Sequence, residues 1–398
     1  MFTWDKLLCA KREREHTVQN PDDFRTEFRK DYHRIIGSAS FRRLQDKAQV
    51  YPLKRGDFVR TRLTHSLEVS SFAGSLGDTI FRRLIDENTE GINESVRENC
   101  CDILECAGLV HDIGNPPFGH FGEFSIRQWF EDNLSKLTFN GKPVTELLNK
   151  QMKSDFLNFE GNAQALRVLT RLHCLMDMDT GMNLTYALLN TIVKYPVSST
   201  GIDKKSGDIR TKKMGYYLSE EELFRDITSC TGVRDRRYPL TFILESADDI
   251  AYKTADIEDA SVKGLLDYHR ILDELRSDRY REKCISPKAL EMLEKAAAEL
   301  EKSFESAKSF NMRDPQLKAV QRWIVKLQNM LIYAASDAFC DNYAAIMNGE
   351  FKSELLAESP AGTLAFALGD IAYRYAFRSP SIVMSELSES SMMTFLLD

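Results

Sequence analysis

Apolar residues at three- and four-residue steps, sustained through much of the chain, confine it to helices. Val69, Phe72, Leu76, Ile80 and Leu84 recur in this way between Thr64 and Leu84, and Val96, Ile103, Leu104, Ala107 and Val110 line one side of a second run. This spacing gathers side chains on one helix face, whereas a strand would divide them between two faces. Ser286-Pro287 opens a third run, rich in Ala, Glu and Lys, with Ser as the N-cap and Pro at the first helical position. Its alternation of apolar and charged residues predicts a surface hairpin helix. A fourth helical run extends from Ala319 to Met347.

Strand signals are sparse. Residues 198–217, rich in Ser, Gly, Lys and Asp with two tyrosines at the end, predict a loop with a short hairpin. Residues 134–155 predict an irregular insertion, and Ser379 to Asp398 a loosely held tail. The expected fold class is all-α.

With 398 residues and 43% apolar content, the chain can bury an extended core, and disorder is not the default. No stretch approaches 18 consecutive apolar residues, so no spanning helix is expected. Met1 to Arg14 does not read as a secretory signal. The eight cysteines are scattered without a Cys-x-x-Cys pair. This points away from a zinc ribbon or a disulfide framework and towards reduced thiols in a cytoplasmic protein. The net charge of −7 argues against a generally basic nucleic-acid coat, yet residues 1–70 hold 15 Lys and Arg against 10 Asp and Glu. Charge alone leaves open whether these cations form a solvated arm or meet an anionic substrate.

Three of the seven histidines keep unusual company. Gly108-Leu-Val-His111-Asp112-Ile-Gly-Asn115-Pro-Pro-Phe-Gly-His120 runs from an apolar helix into a Gly/Pro turn. Burying His and Asp unpaired at such a helix end would cost several kcal/mol, roughly. A shared divalent cation removes that cost by binding imidazole nitrogen and carboxylate oxygen together. His65 opens an amphipathic helix and follows Arg60 and Arg62. Asp248, Tyr252 and Asp256, four residues apart in turn, share one face of a helix and suggest a lined pocket.

The order His65, His111-Asp112, Asp248 is the pattern of the HD phosphohydrolase superfamily. Longer stretches resemble its dGTPase branch. They are Ala39-Ser-Phe-Arg-Arg-Leu-Gln-Asp-Lys-Ala-Gln49-Val-Tyr-Pro-Leu53, Arg60-Thr-Arg-Leu-Thr-His65-Ser-Leu-Glu-Val69, and the 108–120 segment continued to Glu123. Phe159-Glu-Gly-Asn-Ala-Gln-Ala-Leu-Arg167, Val193-Lys-Tyr-Pro196 and Glu245-Ser-Ala-Asp-Asp-Ile-Ala-Tyr252 follow in order. The likeness is collinear from about residue 25 to 260 and faint beyond.

The resemblance implies an HD-domain helical bundle with additional C-terminal helices. Residues 1–60 would be an N-terminal arm and nucleotide-contacting segment, 61–260 the HD catalytic core, and 261–398 a C-terminal helical region. His65, His111, Asp112 and Asp248 would hold one divalent cation per subunit, Mn²⁺ or Mg²⁺. His120 would be the catalytic histidine and Glu123 its orienting carboxylate. Gln49 and Tyr252 would meet a deoxyribose with Asp256 nearby, and Arg62, Lys194, Tyr195 and Lys213 would contact a triphosphate.

The implied reaction is metal-dependent hydrolysis of a deoxynucleoside triphosphate, dGTP by default, to deoxynucleoside and inorganic triphosphate. Whether His120 acts as acid, base or nucleophile stays open. So do another HD nucleotidase or phosphodiesterase activity and a non-catalytic sensor of nucleotide or single-stranded DNA. The lack of a histidine between His111 and His120 favours one metal over the two-metal phosphodiesterase variety. The implied partners are the dNTP, further copies of the chain in a tetramer or hexamer, and a regulatory single-stranded DNA or second dNTP; no membrane is implied.

Overall fold

The structure, a computed structural model, describes residues 1–14, 22–47, 49, 60–176 and 179–398. His16 and the end of the first motif, Val50 to Leu53, lie outside the described residues. The chain is all-α: among the described residues, strands are confined to two short antiparallel ladders, Thr138–Phe139 with Lys142–Pro143 and Cys174–Met176 with Asp179–Thr180. No helix is long and apolar enough to cross a membrane.

Contacts divide the chain into two compact units, one of Met1–Leu244, Tyr343–Lys352 and Ser385–Asp398, the other of Glu245–Asn342 and Ser353–Met384. In the first unit, α1 (Glu27–Ile36), α2 (Arg62–Asp86) and α3 (Glu94–Val110) precede α4 (Gly119–Asn133), α5 (Gly161–Arg167), α6 (Tyr186–Ile192) and α7 (Glu221–Thr231). Its centre is α2 against α3. Val69, Ala73, Leu76 and Ile80 are buried there, as are Ile103, Leu104 and Ala107, so the predicted apolar faces are the ones in contact. The backbones touch at one end, where a Cβ on Gly108 would lie 2.5 Å from the Cα of Ser70. At each such position a buried aliphatic side chain contributes about 1.5–3 kcal/mol.

Helix α8 (Pro239–Val262) spans the boundary at Leu244/Glu245 without a break. The second unit continues with α9 (Tyr268–Arg276), α10 (Pro287–Ser309), α11 (Pro315–Asp341) and α12 (Gly362–Ala372). The Ser286 hydroxyl caps α10 by accepting from the Ala289 amide, with Pro287 at the first helical position. α10 and α11 form a hairpin around Leu293, Leu300, Trp323 and Leu327, and the Trp323 indole donates to the Ala296 carbonyl at 2.8 Å.

Several expectations need correction. Residues 198–217 form no hairpin; they hold the single turns Ser199–Gly201 and Ile209–Thr211, with Leu218–Glu220 just beyond. The 134–155 insertion is more regular than its composition suggests, with the first ladder and the helices Val144–Leu147 and Lys150–Leu157. The C-terminal tail is α13 (Pro380–Leu397). The expectation that all cysteines are reduced thiols is wrong for two of them: Cys9 and Cys230 form a disulfide across 221 residues, with Cα atoms 6.3 Å apart. Long-range packing brings them together. The Tyr186 and Ala187 amides bond the carbonyls of Lys11 and Cys9, while Asn190 on α6 donates to Thr231 on α7, beside Cys230.

Candidate active site

His65 is placed by a capped helix start. The Thr61 hydroxyl accepts from the Thr64 amide, and the Thr64 hydroxyl accepts from the Thr61 amide. This reciprocal cap sets where α2 begins and puts His65 one turn before Val69 on the buried face. His111 is the C-cap residue of α3. The two imidazoles are buried, and their ring centroids are 5.3 Å apart. His111 Nδ1 lies 2.7 Å from the Gly108 carbonyl. A carbonyl only accepts, so Nδ1 carries a proton, and Nε2 is the nitrogen left to offer a lone pair to a cation.

Asp248 lies one turn past the unit boundary on α8, an element that the first unit begins. One ligand-type atom from each of His65, His111 and Asp248 lies within 4.8 Å of the other two. Its neighbour Asp249 pairs with Lys253 at 2.5 Å. Asp112 falls outside that three-residue group. Its Oδ1 lies 3.5 Å from His111 Nε2 and accepts from Asn115 Nδ2 at 2.6 Å, while its Oδ2 pairs with Arg62 at 2.5 Å.

This donor set suits a divalent cation. Nitrogen and oxygen atoms that share an ion at about 2.0–2.2 Å each stand about 3–3.5 Å apart, and the His111–Asp112 separation of 3.5 Å is of that order. The Nδ1–H bond to Gly108 is the usual second contact that orients a ligating histidine.

A sharp turn brings the next helix back to this cluster. Phe118 and Gly119 both have positive φ, +66° and +57°, immediately ahead of His120. A left-handed phenylalanine is uncommon and is held by its surroundings. Gly119 is required twice over, because a Cβ there would also sit 2.4 Å from Arg62 Nη2. Gly119→Ala is therefore expected to cost about 1–3 kcal/mol and to disturb the Arg62–Asp112 pair. Urea denaturation measures this, and an unchanged midpoint would count against the close approach.

His120 is exposed in the first turn of α4, its side chain 79% accessible, and its Nδ1 meets Glu123 Oε2 at 3.1 Å. The Glu123 carboxylate is buried and accepts at Oε1 from the Gly161 amide at 2.7 Å. Gly161 permits this approach, since a Cβ there would lie 2.0 Å from Asn115 Oδ1 and 2.8 Å from Glu123 Oε1. Burial works to raise the Glu123 carboxyl, yet the His120 bond and charge, the Lys213 ammonium and the Gly161 N–H together hold it below its ordinary value.

The remaining expected residues are distributed as follows. Arg62 is buried and bound to Asp112, at the edge of the histidine cluster. Lys194 and Tyr195 follow the end of α6, the lysine half-buried and the tyrosine buried. The 213–215 stretch runs beside them, with the Gly215 amide donating to the Val197 carbonyl at 2.9 Å. Lys213 bonds Glu160 at 3.0 Å. Gln49 pairs its amide with the Arg60 carbonyl, and its buried Oε1 has no hydrogen-bond partner among the described residues. Tyr252 and Asp256 lie one and two turns beyond Asp248 on α8, with Tyr252 stacked on Phe377 and Asp256 buried.

Three residues without an assigned role in the sequence reading belong to this neighbourhood. Lys47 donates to the Asn115 carbonyl at 2.7 Å, and burial, then Arg62, pushes its ammonium below the ordinary lysine value. Asn115 bonds Asp112, and Glu160 binds Lys213. Each lies in or beside a motif already singled out, but the partners of Lys47 and Glu160 stand 68 and 53 residues away in the chain.

Residues 62–189 match the HD domain family. The chain is 44% identical over 399 residues to a deoxyguanosinetriphosphate triphosphohydrolase-like protein of Listeria monocytogenes, covering 99% of this chain and 83% of that one. It belongs to the dGTPase family of HD phosphohydrolases. A deoxyguanosinetriphosphate triphosphohydrolase-like protein of Synechocystis is 33% identical over 99% of this chain and 84% of its own length. A deoxyguanosinetriphosphate triphosphohydrolase of an Enterobacter strain is 34% identical over 93% and 76%. Family members thus align with nearly all of this chain, including the C-terminal helices where the sequence motifs fade.

Proposed function

We propose that the protein hydrolyses deoxynucleoside triphosphates, dGTP first among them, to deoxynucleoside and inorganic triphosphate in a metal-dependent reaction. The observation that carries this reading is the His65–His111–Asp248 donor group, its imidazoles buried and its carboxylate half-buried, beside the Arg62–Asp112 pair. The names of the relatives support the substrate class. Asp112 would complete the set around one Mn²⁺ or Mg²⁺, which when bound polarises the α-phosphoryl oxygen.

The chain's own residues account for the other requirements. A triphosphate carries about four negative charges, which Arg62, Lys194 and Lys213 would offset, with the Tyr195 hydroxyl as a further donor. Gln49, whose Oε1 is a buried acceptor, would take a hydrogen bond from a deoxyribose hydroxyl, with Tyr252 and Asp256 along the sugar. The departing 5′-oxygen needs a proton, and His120 would supply it from the nitrogen opposite Nδ1, which Glu123 holds. A cytoplasmic location, assembly into a tetramer or hexamer, and regulation by single-stranded DNA or a second dNTP belong to the same proposal and follow from the family likeness.

Incubation of the purified chain with each of the four dNTPs and Mn²⁺ or Mg²⁺, followed by product chromatography, tests the reading. Deoxynucleoside and intact triphosphate are the expected products. Release of orthophosphate, pyrophosphate or a nucleoside monophosphate would assign the chain to another HD hydrolase chemistry, and no turnover of any dNTP would leave a sensor.

A further inference from the structure

Two buried carboxylates, Glu123 and Glu160, are linked through one backbone amide behind His120. Glu123 and Glu160 are each only 2% exposed. Gly161, the residue after Glu160, donates its amide to Glu123 Oε1 at 2.7 Å. Carboxylates held away from water are unfavourable unless cations and N–H donors face them.

Among the described residues, the following groups do so. Glu123 meets His120 Nδ1 at 3.1 Å and Arg127 at 3.9 Å from its own helix, and the Gly161 amide from α5. Glu160 binds Lys213 Nζ through both oxygens, each at 3.0 Å, and accepts from Asn162 Nδ2 at 2.7 Å. Lys213 arrives from a separate part of the chain, just past the Ile209–Thr211 turn. Its charge is among those that offset the burial of Glu123.

We propose that Glu160 is a positioning residue that pins the Lys213 ammonium beside Glu123, the carboxylate that orients His120. The consequence for catalysis rests on the reading of His120 given above. An ammonium has three donors, and Lys213, with its side chain 32% exposed, keeps one for a phosphate oxygen while Glu160 takes two.

The test is a carbon-13 NMR titration of the Glu123 carboxyl in the full-length protein without nucleotide, the resonance being assigned with Glu123→Gln. Lys213→Met is expected to make Glu123 an about tenfold weaker acid, and Lys213→Arg to stay near the wild type. Glu160→Gln separates two roles by sign. If Glu160 were only a second negative charge, neutralising it would make Glu123 a stronger acid. If it pins Lys213, the freed ammonium moves into water and Glu123 becomes a weaker acid.

Lys213→Met leaves Glu160 buried without its cation and can destabilise the fold. The double variant Glu160→Gln with Lys213→Met has no such charge, and a weaker Glu123 acid is expected there too. An unchanged Glu123 in the double variant, or a stronger one in Glu160→Gln, would overturn the proposal. The titration needs no turnover. A wild type that titrates as expected but releases no triphosphate would sink the assigned reaction and leave the clasp standing.

Discussion

His120→Ala is expected to bind nucleotide as well as the wild type and to lose about two to four orders of magnitude in kcat. The side chain is 79% exposed and is bonded through Nδ1 to Glu123, so its removal opens no cavity in the core. On the proposed mechanism, what disappears is the proton donor in the first turn of α4, aimed by a buried carboxylate. Glu123→Gln should fall in the same direction by a smaller factor, because an amide still accepts from the Gly161 N–H but supports an imidazolium less well. Steady-state release of triphosphate gives kcat, and equilibrium titration with a non-hydrolysable dNTP analogue gives the affinity. A His120→Ala enzyme with wild-type kcat would remove this residue from the chemistry. One with intact kcat and weakened binding would make it a phosphate ligand instead.

The helices were legible because their apolar spacing is a local property. Val69 to Leu84 and Ile103 to Val110 carry the period in consecutive turns, and the faces they define are the buried ones. The Ser286 cap was legible for the same reason: its acceptor and donor are three residues apart. The histidines drew notice through their neighbours, a capped amphipathic helix for His65 and a Gly/Pro turn for His111 and His120.

Features made by distant partners were not legible. Cys9 and Cys230 meet because the N-terminal segment is bonded to the start of α6 and α6 is bonded to α7, none of which follows from spacing. Glu160 has no role beyond its place in the Phe159–Arg167 motif until Lys213, 53 residues on, is seen against it. α13 was masked by Ser and Glu clusters that suggested a loose tail. Lys47 illustrates the same limit near the site itself. Its bond to the Asn115 carbonyl and its proximity to Arg62 arise only once the first motif is folded against the turn after α3.

His111→Ala is expected to empty the cluster of metal and to abolish turnover. The imidazole is buried, and its Nε2 is the lone-pair nitrogen facing Asp112 at 3.5 Å while Nδ1 is committed to Gly108. His65 is the other imidazole of the cluster, its ring centroid 5.3 Å away. Metal content by mass spectrometry after equilibration with Mn²⁺ should drop from about one ion per chain to a small fraction of that, with activity down about a thousandfold or more. The paired variants Asp248→Asn and Asp249→Asn sharpen the test, because they alter adjacent carboxylates on one helix. Asp248 belongs to the three-residue group and should lose metal, whereas Asp249 is bonded to Lys253 and should keep it. Should Asp249→Asn lose the ion and Asp248→Asn retain it, the ligand assignment on α8 would be reversed. Should His111→Ala hold metal at the wild-type level, the two histidines would be a packing pair and the ion would have to lie elsewhere.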